Sequence, residues 1–194
     1  MAEIKSTMEM VLERAAKMAA EAPMETDREN LTKTGMRLAA DFLNGKIDNL
    51  QEELLKQPAE SQVPLRRGMV QTLLRNIILP RDESGEEGAG AIKGILMLAG
   101  NGGEISSICG ELQQILGQYG QHRQQSIQQL DEAIRAQLEQ QQMAAGKSEG
   151  PINPTMHPQY REELTKMLTN LNGQYNDALD QRKEMIMERL CPSF

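Results

Sequence analysis

The sequence predicts an all-α protein: a small N-terminal helical bundle followed by two long antiparallel helices forming an extended hairpin or coiled coil. Three observations carry that expectation. The 194 residues include two Phe, three Tyr and no Trp, too little bulk for a thick core. The 13 Met, together with many Leu, Ile and Ala, must fill the interior instead, and these residues suit narrow seams between helices. Apolar residues also recur three and four positions apart along most of the chain, whereas β-branched residues in alternation are sparse.

The elements follow in order. In residues 3–22, Ile4, Met8, Val11, Leu12, Ala15 and Met18 share one helical face, and Pro23 ends the helix. Thr26 or Asp27 caps a second helix, whose stripe of Leu31, Leu38, Phe42, Ile47, Leu50 and Leu54 carries it to about Gln57, before Pro58. Asn44-Gly45 lies inside it, but the stripe resumes in nearly the same phase, so the helix is expected to run through. A third helix is expected from Pro64, since proline is tolerated in a first turn, with Leu65, Met69, Leu73 and Ile77 inward and Pro80 as its stop. The polar loop RDESGEEGAG leads to a short, nearly all-apolar helix, AIKGILMLAG, buried on most sides and closed by Asn101-Gly102-Gly103.

From Glu104 the pattern changes. Ile105, Ile108, Leu112, Ile115 and Tyr119 form a thin stripe, which continues past an irregular step at His122 and Arg123 through Ile127, Leu130, Ile134 and Leu138. Gly117 and Gly120 weaken this helix near its middle. Glutamine dominates its other faces between Gln113 and Gln142, where it favours helix without adding charge. A Pro/Gly-rich linker at 144–158 is expected to be non-helical. The last helix runs from Pro158 to Leu190 on Leu164, Leu168, Leu171, Tyr175, Ala178, Met185 and Arg189, widened by Met167, Leu179 and Ile186. The expected division is therefore a bundle over 1–103 and a hairpin over 104–194.

A helix of about 33 residues spans roughly 50 Å, whereas a compact domain of this chain length is only about 35 Å across, so the hairpin is expected to protrude. A stripe this thin suits a helix that touches one or two others. Two thin helices bury too little apolar area to offset their backbone entropy comfortably, so they call for a further partner. The expected function is a non-enzymatic helical interaction protein, an adaptor, assembly factor or chaperone-like module, that binds itself or another protein. Its interaction seam is assigned to Ile127, Leu130, Ile134, Leu164, Leu168, Leu171 and Tyr175.

Composition narrows the rest. A net charge of −7 opposes general nucleic-acid binding. The longest apolar run is about ten residues and carries Lys93, half of what a bilayer needs, so no membrane association is expected. The start MAEIKSTMEM carries no secretory pattern, and two distant cysteines read as reduced thiols in a cytoplasmic protein. Cys109 falls near an apolar face and reads as structural, and Cys191 opens a terminal CPSF that lacks the aliphatic residues of a prenylation signal. No cofactor or metal is expected: His122 and His157 lack partners at ligand spacing, and the Met8/Met10 and Met185/Met187 pairs point to opposite sides of their helices. GEEGAGAIKG lacks the Gly-Lys-Ser/Thr order of a phosphate loop. Arg66, Arg67, Arg75 and Arg81 make the third helix basic, and the expected partners are the acidic loop after it or Glu52 and Glu53. The alternative function is an enzyme or small-ligand binder with a site between helices near Arg66, Arg67 and the segment Gly85–Gly103.

Overall fold

The computed structural model describes residue 10 and residues 27–80, 88–100, 102–144 and 153–192. Among them every regular element is a helix, as the periodicity predicts. The helices are α1 (27–43), α2 (Leu50–Leu55), α3 (Ala59–Arg75), α4 (Ala89–Ala99), α5 (Gly103–Ala144) and α6 (Pro158–Leu190), with a 3₁₀ turn at Pro154–Met156. The helix expected over 3–22 lies outside the described residues except for Met10, which is helical. The chain forms two compact units. One runs through Arg75 and includes Ala91–Gly100 and the residues from Met187 on; the other comprises Asn76–Gly90 and Asn101–Ile186.

In the first unit the expected long second helix is two helices. Asn44-Gly45 breaks it. Gly45 has φ 72°, its N–H bonds Phe42 O at 3.0 Å, and the Lys46 N–H bonds Asp41 O at 2.9 Å, the paired bonds of a glycine-terminated helix. Lys46 Nζ adds a 3.0 Å ion pair to Asp41 Oδ1. The apolar stripe resumes in phase because α2 packs into the same core, which hides the break from a periodicity argument. Asn49 then caps α2, accepting from the Gln51 and Glu52 N–H groups and donating to Glu52 Oε1 at 2.9 Å. The third helix also differs: it starts at Ala59, and Pro64 sits inside it, one turn later than expected. Six residues into the helix, Pro64 forgoes the bond to the Glu60 carbonyl and crowds it, a cost offset by the burial of Leu65, Met69, Val70, Leu73 and Leu74 on the same helix.

Leu50, Leu54, Leu65, Met69, Val70, Leu73, Ile92 and Ile95 are at most 1% exposed and make the core of this unit. Met69 is the only methionine buried among the described residues; Met36, Met97, Met167, Met185 and Met187 are half-buried and Met143 and Met156 exposed. Leucine and isoleucine, rather than methionine, fill the interior. Helices α1 and α3 cross at two reciprocal glycines. A Cβ on Gly68 would fall inside contact distance of Thr32 O and 2.9 Å from Met36 N, and one on Gly35 would strike the Leu65 carbonyl, 2.9 Å from its carbon. The two backbones therefore meet with no side chain between them. The glycine of the former phosphate-loop candidate is a packing device too: a Cβ on Gly94 would lie 2.8 Å from Leu73 Cδ2 and 3.0 Å from Phe42.

Gly173, by contrast, is helical with open space around its missing Cβ. Gly68→Ala is expected to destabilise the protein by about 3 kcal/mol through overpacking against backbone. Gly173→Ala is expected to stabilise it by about 0.5–1 kcal/mol through reduced unfolded-state freedom. Urea unfolding midpoints of the two variants check both signs.

Candidate functional site

The second unit is organised by α5 and α6. Helix α5 is continuous for 42 residues, through the irregular step at His122 and Arg123 and through Gly117 and Gly120. It also runs to the start of the expected linker, and within that linker Pro154–Met156 forms a 3₁₀ turn capped by Asn153. The propensity cost of the two glycines, about 1 kcal/mol each, is exceeded by the seam that the helix forms on both sides of them.

Four cross-links hold α5 against α6. Glu111 Oε2 accepts from Arg182 Nε at 2.6 Å, Tyr119 OH donates to Asn172 Oδ1 at 2.8 Å, His122 Nδ1 lies 3.4 Å from Tyr175 OH, and Tyr160 OH donates to Asp131 Oδ1 at 2.6 Å. Taking the contacts of Glu111, Tyr119 and Asp131 in order, the α6 partner recedes from Arg182 to Asn172 to Tyr160, so the helices are antiparallel, as the sequence predicts. Tyr119 and Tyr175 meet edge to face at 5.3 Å. The few aromatic residues of this unit thus act as register pins, each with an apolar ring in the seam and a polar tip at its edge.

Burial along this seam is uneven. Of the seven buried residues of α5, six lie between Ile105 and Tyr119, and Ile134 is the seventh. Of the seam residues assigned from sequence, Ile134 and Leu171 are each 6% exposed, whereas Ile127, Leu130, Leu164, Leu168 and Tyr175 are half-buried. On α6 the most enclosed positions are Leu179 and Ile186, both fully buried and both closer to the C-terminus than the assigned set. Beyond Tyr119, therefore, α5 and α6 cover each other without filling their stripes.

A groove opens on this unit beside the pins. Its volume is about 390 Å³, and it is lined by Ile78, Leu79 and Pro80 from the extended segment after α3, by Tyr119 and Arg123 from α5, and by Leu168, Asn172 and Asn176 from α6. Tyr119–Arg123 and Leu168–Asn172–Asn176 each step by four residues, so each set lies on one helical face. Sequence reasoning took Leu168 into the seam but passed over the polar members. The step of four was visible, yet on a helix so rich in Gln and Asn it cannot be told from a solvated face until the register of α5 on α6 is known.

The alternative site of the sequence reading is described only in part. Gly85 to Glu87 lie outside the described residues, and Gly94 packs in the core. Arg66 does line a cleft of about 280 Å³ in the first unit, with Ala59, Gln62, Val63, Leu190, Cys191 and Pro192. Arg66 and Arg67 do not take the partners expected on α2: Glu53 pairs with Lys56 at 2.6 Å, and Glu52 accepts from Asn49. These carboxylates are satisfied within their own helix and its cap. Burial raises the Cys191 thiol pKa, and Arg66 and Arg67 oppose that rise by favouring the thiolate. Burial alone pushes Cys109 up to about 11, which suits a core thiol and not a nucleophile. His122 is exposed, and His157 Nδ1 is buried without a hydrogen-bond partner. Among the described residues no cluster of His, Cys, Asp or Glu has the convergence a metal requires, and no helix is long and apolar enough to cross a membrane.

Residues 51–188, from α2 to the last turn of α6, match a family described as a family of unknown function, DUF6657. The chain belongs to that family. The family's span takes in both the seam and the groove. No curated protein and no solved structure matches the chain.

The bond from Tyr160 to Asp131 raises the Tyr160 pKa, with burial adding to the effect. An acid whose folded pKa is raised stabilises the fold fully below its unfolded value near 10, and that contribution is lost as pH climbs through the folded value. Tyr160→Phe is expected to cost about 1–2 kcal/mol at neutral pH and to remove the part of the stability loss above pH 10 that this group contributes. Paired chemical denaturation of wild type and variant at pH 7 and above pH 10 measures it.

Proposed function

We propose that the protein is a non-enzymatic, cytoplasmic helical interaction module that acts through the α5–α6 hairpin, binding a second copy of itself or another protein. One observation carries the reading. Past Tyr119 the apolar stripes of α5 and α6 are only half covered by each other, with Ile127, Leu130, Leu164 and Leu168 all half-buried. A seam of this kind gains free energy from a third or fourth helix laid along it, by about 25 cal/mol for each Å² of apolar surface removed from water. The exposed face of α5 supports the reading. Between Gln113 and Gln142 it carries mainly glutamine, with few charges that would have to be desolvated on contact, whereas the charges of the hairpin gather on the exposed face of α6. The two cysteines are free, in keeping with a reducing compartment.

The test is light scattering and circular dichroism on the wild type and on Leu130→Asp combined with Leu168→Asp. The wild type is expected to exceed the 21.7 kDa mass of one chain at micromolar concentration. The double variant is expected to return to that mass with reduced helicity. Unchanged helicity and mass after the double change would contradict the seam.

A further inference from the structure

Among the described arginines and lysines, Arg66, Arg123, Arg182 and Lys183 are half-buried. Arg182 meets Glu111 and Lys183 meets Asp180. Arg66 and Arg123 have no carboxylate partner among the described residues, and each lines a cleft. A half-buried guanidinium with no carboxylate beside it keeps its donors available to an incoming anion. The surroundings distinguish the two. Beside Arg66, the Gln62 carboxamide already donates to Gln57 O at 2.9 Å, and the remaining wall is a thiol and apolar groups. The groove that Arg123 lines also holds two carboxamides with unused capacity. Asn172 accepts from Tyr119 OH through Oδ1, which leaves its Nδ2 to donate, and Asn176 has no hydrogen-bond partner among the described residues.

The spacing of those carboxamides selects the kind of ligand. Asn172 and Asn176 are one turn apart, about 6 Å along α6. Two residues of extended chain rise about 6.6–6.8 Å, so alternate peptide units of a strand laid along α6 meet successive carboxamides. Asn176 offers a donor and an acceptor, the pair a peptide unit needs, and Asn172 offers the donor of its Nδ2. Ile78, Leu79, Pro80 and Leu168 supply an apolar wall, and a volume of about 390 Å³ lies in the range of a ligand pocket.

We infer that the groove binds an extended peptide segment of a partner protein, with its main chain on Asn172 and Asn176, one carboxylate on Arg123 and an adjacent apolar side chain against Leu168 and Ile78–Pro80. One carboxylate is specified because the excess negative charge of the chain opposes a more acidic segment. The inference rests on the interaction reading above and names the chemistry of one partner contact.

The probe is a phage-displayed random nonapeptide library, selected on the full-length wild type and counter-selected on Arg123→Gln. Enriched sequences are expected to share one Asp, Glu or free C-terminus beside a large apolar residue. Their synthetic peptides are expected to shift the backbone amides of 78–80, 119–123 and 168–176 in NMR spectra. Affinity should fall about tenfold or more with Arg123→Gln and about threefold or more with Asn176→Ala, while Arg135→Gln, exposed on the same helix, leaves it unchanged. Circular dichroism of Arg123→Gln establishes that the variant folds. No enrichment that depends on Arg123, or enrichment of peptides without a carboxylate, overturns the inference. Acetate alone reproducing the same Arg123-dependent shifts at the same concentration assigns the site to a small anion and overturns it too. Failure here with the hairpin's seam-dependent association intact removes the groove and leaves the interaction reading in place.

Discussion

A helix of 42 residues with an apolar stripe one or two side chains wide cannot hold itself straight in water by propensity alone. Its glutamines favour helix only weakly, and its internal glycines oppose it. The constraint on which the second unit depends is therefore the antiparallel contact of α5 with α6 along the whole stripe. Register in such a contact is poorly specified by leucines and isoleucines, which accept neighbours at several offsets. Here it is fixed by polar groups of particular reach: the phenols of Tyr119 and Tyr160 on Asn172 and Asp131, and the guanidinium of Arg182 on Glu111. Shifting the register by one turn breaks all three together.

The same contact creates the groove. Once Tyr119 is tied to Asn172, Arg123 and Asn176 fall one turn to either side of that pin on their own helices, and Ile78, Leu79 and Pro80 of the chain leaving α3 line the same groove. A polar cluster of this kind does not exist on either helix separately. In the first unit the organising contact has the opposite character. Gly35 and Gly68 bring two backbones together with no polar pin, and Leu65, Met69 and Leu73 fill the space around the crossing. One unit is specified by close approach, the other by side chains that reach.

Much of this was legible in the residues. Helical periodicity gave the all-α class, the short apolar helix and the extent of α6, because each rests on local pattern; it also carried the third helix on to Pro80, whereas α3 ends at Arg75. The break at Gly45 was not legible, since the stripes of α1 and α2 stay in phase across it and only the positive φ marks the turn. Pro64 misled because first-turn tolerance is a preference and not a rule: the helix extends back to Ala59 ahead of it, and the buried face of α3 offsets the cost of an interior proline. The continuity of α5 through two glycines was set by tertiary contact, which propensity does not contain. The uneven burial of the assigned seam positions and the groove beside them depend on register, and no periodicity encodes register between two helices.

The most direct test of the account is hydrogen exchange along α5, read by mass spectrometry at high dilution and at high protein concentration. The account predicts strong protection over 105–119 at both concentrations. Over 124–141 it predicts faster exchange at high dilution, slowing as concentration rises and the half-covered stripe finds a partner copy. Equal, concentration-independent protection of both segments would show that α6 alone satisfies the full length of α5, and would contradict the claim that the distal seam is incomplete.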